Sequence, residues 1–170
     1  MSSMEKVYGA TERNDTLVKF KTGALLIFGY GEEELDGETH GYDYQQSFPK
    51  TPTKAEVFDL LVNHINGLTD EKILSGFVWN GVNVWLSTEN QFNFKAAFDV
   101  AVQTGGATLP IKFKLGENAD GVPVYHVFTD MAEFSDFYTK AIAFIMTALN
   151  VGWEEKDYAK EWVDSLDLED

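Results

Sequence analysis

The chain has 170 residues, which suits one domain of ordinary size or a domain with a small appended layer. Its 28 acidic against 13 basic side chains leave a formal charge of −15, with Arg13 the single arginine. Bare nucleic acid and anionic membrane surfaces are therefore disfavoured as partners, because both are held by lysine and arginine against phosphate. Cysteine is absent, which excludes disulfides, thiolate metal sites and a cysteine nucleophile. A hydrophobic fraction of 44% with 14% aromatic side chains supplies material for a globular core and leaves aromatics to spare as contact anchors. Residues 1–15 lack the apolar stretch of a secretory signal, and no segment approaches the ~20 apolar residues of a membrane span. A soluble protein made in the cytosol is expected.

Residues 1–48 read as β-rich. Thr16 to Phe20 alternates weakly, Lys21 to Gly23 turns, and Ala24 to Tyr30 has the apolar run of a buried strand, so a hairpin is expected. Gly31 to Glu38 reads as an acidic loop between glycines, and Tyr42 to Phe48 as a third strand. Pro49 and Pro52 interrupt regular pairing and mark the best internal boundary, giving an N-terminal module over 1–48 and an α+β domain over 53–170. An exposed edge strand in the first module invites pairing with another chain, so it is assigned to attachment or oligomerisation.

Thr53-Lys54-Ala55-Glu56 has the form of a capping box, and Val57, Leu60, Leu61 and Ile65 recur at helical spacing until Asn66-Gly67, where the helix is expected to end. One further turn over Thr69 to Ser75 is expected before Gly76. Asn80-Gly81 between β-branched and aromatic residues predicts a type I′ hairpin turn, since this pair tolerates positive φ at both positions. Ser87 then stands where an N-cap belongs, ahead of Phe94, Ala97, Phe98 and Ala101 at helical spacing, with Gly105-Gly106 as the stop. Leu109 to Leu115 and Val122 to Phe128 predict a second hairpin around the 117–121 turn. Thr129 or Asp130 caps the next helix, whose stripe of Phe134, Tyr138, Ala141, Ile142, Ile145 and Leu149 runs to an expected end at Gly152, with Trp153 in the contact that accompanies such an ending. A last helix follows, and the eight acids and two lysines of 151–170 give it −6. Two successive hairpin–helix units predict an α+β fold, a four-stranded antiparallel sheet with helices packed on one face, preceded by the small N-terminal β module.

No arrangement of residues spells a reaction. Gly29-x-Gly31 lacks the third glycine and the Lys-Ser/Thr of a phosphate loop, and the carboxylates of 32–38 do not follow the spacing of a calcium loop. His40, His64 and His126 lie apart with no metal-ligand spacing, and no serine sits in a nucleophile elbow. No catalytic, cofactor or metal residue is assigned, and the chain is expected not to be an enzyme. Trp79 and Trp85, flanking the hairpin turn, read as core-packing cross-strand aromatics, Trp79 with Val84 or Phe77 with Trp85, with an exposed stacking platform or subunit interface as the alternative. The candidate interface set is Leu25, Ile27, Tyr30, Tyr42, Tyr44, Trp79, Trp85 and Trp162.

Trp79-Asn80-Gly81-Val82, Val84-Trp85-Leu86-Ser87 and Glu89-Asn90-Gln91-Phe92-Asn93, followed by Leu109-Pro110, Val124-Tyr125, Phe134, Phe137-Tyr138 and Gly152-Trp153, resemble an uncharacterised family of tailed phages and prophages of gut bacteria, domain of unknown function forty-three seventy-six. The resemblance covers about residues 77–153. It implies a structural component of a phage virion, such as a head-fibre, tail-fibre-associated or decoration protein, forming a homo-oligomer and contacting other virion proteins, with no nucleic acid, membrane or cofactor partner. An assembly chaperone with an acidic shielding surface is the alternative.

Overall fold

The computed structural model describes residues 4–168. In chain order these form β1 (Glu5–Tyr8), β2 (Thr16–Lys19), β3 (Ala24–Leu35), β4 (Glu38–Phe48), α1 (Lys54–Ser75), β5 (Phe77–Trp79) and β6 (Val82–Val84). Then come α2 (Thr88–Gln103), β7 (Ile111–Glu117), β8 (Pro123–Phe128) and α3 (Met131–Ser165). The fold is α+β with antiparallel sheets, as the residue pattern predicts. Two compact units divide the chain. One takes it through His64 and again from Lys156, and the other is Ile65–Glu155. The division falls inside α1 and α3 rather than at Pro49–Pro52, because the N-terminal strands bury their apolar side against the first part of α1 and the last turns of α3.

In the first unit the four strands stand in the order β1-β4-β3-β2. Strand alternation sends Ala24, Leu26 and Phe28 to one side, where they are buried with Val57 and Leu61 of α1 and Ala159 and Val163 of α3. Phe28 meets Trp162 at 5.7 Å and Tyr158 at 6.2 Å between ring centroids. Between Phe28 and Gly31 the register shifts by a bulge, and Gly29 takes φ 76° there, a conformation open to glycine. The Gly29 amide freed by the bulge donates to Asp15 at 2.7 Å. Asp15 also accepts from Tyr158 Oη at 2.8 Å and pairs with Arg13 at 2.7 Å, so this nearly fully buried carboxylate is satisfied from three sides.

Shortly beyond the bulge β3 and β4 pair only with each other among the described residues. β2 covers Ala24–Ile27, and β1 reaches Tyr42 with Gly9 N bonded to Gly41 O at 2.9 Å, leaving a two-stranded arm from Glu33 to His40. The segment expected as an acidic loop is thus mostly strand. Its ladder closes on Asp36 and Gly37, which take φ 53° and 81° and confine the turn to two residues.

In the second unit the expected hairpin forms as predicted. Asn80 and Gly81 have φ 48° and 78°. The register pairs Phe77 with Val84 and Trp79 with Val82, correcting the expected Trp79–Val84 and Phe77–Trp85 pairs, because a two-residue turn makes its immediate flanks opposite. β7 and β8 form the second hairpin, Ile111 against Phe128. The hairpins remain two separate two-stranded ladders, joined by the bond from Trp85 N to Leu115 O at 2.8 Å, rather than one continuous four-stranded sheet. Their inner side packs with α2 and α3 around Phe94, Phe128, Phe134 and Phe137, where Phe128 stacks on Phe134 at 4.7 Å and Phe94 meets Phe113 edge-on at 4.9 Å.

The predicted starts of α1, α2 and α3 hold, while the separate last helix expected beyond Gly152 has no start of its own. Thr53 and Glu56 exchange the capping-box bonds, Ser87 accepts from Asn90 N, and Asp130 accepts from Glu133 N. Two predicted ends do not. α1 runs through Gly67, which faces open space and costs only propensity. α3 runs through Gly152, where an added Cβ would fall 2.5 Å from Thr69 Oγ1. Gly152 lets α3 approach α1 closely and ends nothing, so Trp153 belongs to the helix rather than to a terminal motif.

His64 is 8% exposed, lies edge-on to Tyr44 at 4.3 Å, and keeps Nε2 without a hydrogen-bond partner. Burial holds its pKa below the usual 6.5. The unfolded ring takes a proton that the folded one resists, so the stabilisation is whole above about pH 6.5 and declines as pH falls below it. Urea denaturation from about pH 7.5 to about pH 5.5 is expected to show a falling midpoint in the parent chain and a shallower fall in His64→Leu. Equal slopes in the two proteins would contradict this role.

Candidate protein-contact face

The interface candidates separate onto different surfaces. Leu25 and Ile27 alternate away from Phe28, and Tyr30 lies over Gly41 on that same half-buried face of the first unit's sheet. Tyr42 and Tyr44 point to the opposite side. Tyr44 abuts His64, and Tyr42 closes a cluster with Tyr8 and the Lys6 ammonium, which lies 4.1 Å from its ring centroid. Glu33 completes the cluster. It accepts from Lys6 at 2.9 Å and from Tyr8 Oη, and those two bonds hold its carboxyl below the ordinary range and raise Lys6 and Tyr8. Trp162 is half-buried against Phe28.

For Trp79 the core-packing reading holds and the interface reading is corrected. This residue is 3% exposed, packed against Phe137 and Phe128 at 5.2 and 5.6 Å, and cannot serve as a contact anchor. Its Nε1 donates to Asp136 at 3.0 Å. Lys140 foremost, and this indole second, hold the Asp136 carboxyl below its usual range.

Trp85 is on the other side. Alternation along β5 and β6 turns Phe77, Trp79, Val82 and Val84 inward and therefore Val78, Asn83 and Trp85 outward. On β7 and β8 the same rule turns out Lys112, Lys114, Tyr125 and Val127, and the register places Lys112 opposite Val127 and Lys114 opposite Tyr125. The bond from Trp85 N to Leu115 O brings the two hairpins side by side, so Lys114 Nζ lies 5.3 Å from the Trp85 ring and Lys112 Nζ 4.4 Å from the Tyr125 ring. Gly116 completes the seat, since a Cβ there would fall 2.6 Å from Asn83 O and 3.5 Å from Trp85 Cδ1.

This face exposes Val78 (58%), Tyr125 (56%), Val127 (44%) and Trp85 (38%) next to two lysines. Lys114 is tied to Glu117 at 2.8 Å, and Lys112 makes no ion pair among the described residues. Aromatic rings backed by ammonium groups offer wide apolar contact together with positive charge, a combination suited to an acidic polypeptide surface with an apolar centre. Lys112, Lys114, Tyr125, Val78 and Val127 were not among the sequence candidates. Their signal is the Lys-x-Lys alternation on β7, which acquires meaning only through the register that sets it beside Tyr125 and Trp85.

No protein-family model, curated protein or solved structure matches this chain. Among the described residues no three or more histidines and carboxylates gather as a metal site, and no helix is long and apolar enough to cross a membrane.

Truncating tryptophan on the two sides of one hairpin should give unequal losses. Trp79→Ala is expected to cost about 3–5 kcal/mol of unfolding free energy, as for a large buried ring. Trp85→Ala is expected to cost about 1 kcal/mol or less, as for a surface position. Urea titration of both variants measures the difference, and comparable losses would overturn the assignment of faces.

Proposed function

We propose that this protein is a non-catalytic structural subunit that acts through protein–protein contact, and that it is a component of a tailed-phage particle, an appendage subunit of the head-fibre, tail-fibre-associated or decoration kind. The observation that carries the contact reading is the exposed Trp85–Tyr125 face with Lys112 and Lys114, a positive and aromatic surface on a chain of net charge −15. Such a face is costly to leave in water and gains by meeting a complementary surface. The particle assignment is supported by the resemblance of residues 77–153 to the phage family. A second reading, an assembly chaperone that leaves before maturation, is supported by the strongly acidic charge, which suits shielding of a basic client.

Mass spectrometry of purified mature particles separates the two readings. A structural subunit persists at a fixed copy number, whereas a chaperone is found only in assembly intermediates. In particles made with Trp85→Ala/Tyr125→Ala, copy number is expected to fall at least about tenfold, since aromatic anchors carry most of an interface's energy. Undiminished incorporation would remove this face from the contact.

A further inference from the structure

The free end of the β3–β4 arm has the chemistry that the Lys112–Lys114 face requires. Leu35, 40% exposed, stands beside the Asp36-Gly37 turn, with Glu38 opposite it on the same face and Glu34 on the other face. Glu33 and Glu32 are already engaged, the first by Lys6 and Tyr8 and the second by Tyr30. Glu34, Asp36 and Glu38 make no ion pair among the described residues. The arm end therefore presents Leu35 with Glu38 on one face of the ribbon, Asp36 in the turn and Glu34 on the other face, all three carboxylates uncompensated. The face presents Val78, Trp85, Tyr125 and Val127 around two ammonium groups, one of them without a carboxylate partner.

We infer that the occupant of the Lys112–Lys114 face is a second copy of this chain, whose arm seats Leu35 against the exposed aromatics and brings Glu38 and the turn residue Asp36 toward the lysines, with Glu34 adding its charge from the other face of the ribbon. The inference rests on the reading of that face as a contact surface and adds its partner. The contact is heterologous, since the surface that docks is not the surface docked upon. Each copy keeps one arm and one face to offer, and association continues until a ring closes or a chain of copies extends. Copies of charge −15 repel at long range, so the attraction acts only where these two patches meet and selects this orientation over others.

Charge exchange tests it on the full chain. Lys112→Glu/Lys114→Glu makes both patches acidic, and Glu34→Lys/Glu38→Lys makes both basic. By sedimentation velocity the parent chain is expected to self-associate with concentration, and each variant alone to do so at least about tenfold more weakly. An equimolar mixture of the two variants is expected to recover association, because the acidic arm of one meets the lysine face of the other and the reverse. Far-UV circular dichroism checks that each variant is folded, and if a reversal unfolds the chain, Lys112→Gln/Lys114→Gln with Glu34→Gln/Glu38→Gln serves, each weakening association. A monomeric parent chain, variants that associate like the parent, or a mixture that fails to recover would each overturn the self-docking. Incorporation into particles that still depends on Trp85 and Tyr125 while the chain stays monomeric would sink this inference alone. Particles that lack the polypeptide would sink the functional reading regardless of oligomeric state.

Discussion

The register of one short hairpin decides which chemistry this protein shows to its surroundings. Asn80 and Gly81 hold positive φ at both turn positions, so Trp79 must face Val82 and Phe77 must face Val84. A strand shifted by one residue exchanges its two faces. Here such a slip would send Val78, Asn83 and Trp85 into the aromatic core and push Trp79, with its bond to Asp136, into water. The core cannot accept that exchange, because Phe128 and Phe137 are already packed on the Trp79 ring. Burial on one side of the hairpin is therefore what keeps Trp85 on the other.

From that constraint the contact face follows by adjacency. Trp85 N reaches Leu115 O, Gly116 leaves room for the indole, and the outward lysines of β7 come to rest over rings of both neighbouring strands. A lysine over an aromatic ring keeps its charge while covering apolar surface, so the face remains soluble in the free chain. The same pairs supply wide apolar contact once water is expelled. In a chain with more than twice as many acids as bases, two lysines pointing to one side are a local reversal of sign with directional value.

The first unit is organised around a buried charge instead of a ring cluster. Asp15 ties the segment before β2 to the bulge at Gly29 and to Tyr158 in the last turns of α3, and Arg13 adds its charge while lying 4.3 Å from the Tyr158 ring centroid. A carboxylate with so little exposure is tolerable only when donors meet it, and the bulge provides one that a regular ladder would have used itself. That irregularity also lies just ahead of the point where the four-stranded sheet gives way to the two-stranded arm. His64, with an unpartnered nitrogen in the same unit's core, is the opposite case, a polar group whose burial is compensated only in part.

Local chemistry was legible without tertiary structure wherever neighbouring residues satisfy one another. Thr53 with Glu56, Ser87, Asp130 and the Asn80-Gly81 turn act within a few positions of themselves, and the α+β class follows from the alternation and helical spacing they bound. Glycine proved ambiguous, because the same residue serves an ending, a turn or a close approach. Gly152 is a seat for Thr69, more than eighty positions earlier in the chain, and Gly67 sits in a helix that packing carries onward. The arm escaped notice since a run of glutamates forms a strand only if a partner strand and a tight turn accept it. The sequence by itself thus determined where α1, α2 and α3 begin, where the hairpins of the second unit turn and which side of their strands is apolar. Only the tertiary structure decided which helices continue and which outward residues meet, since those outcomes depend on partners brought together from distant parts of the chain.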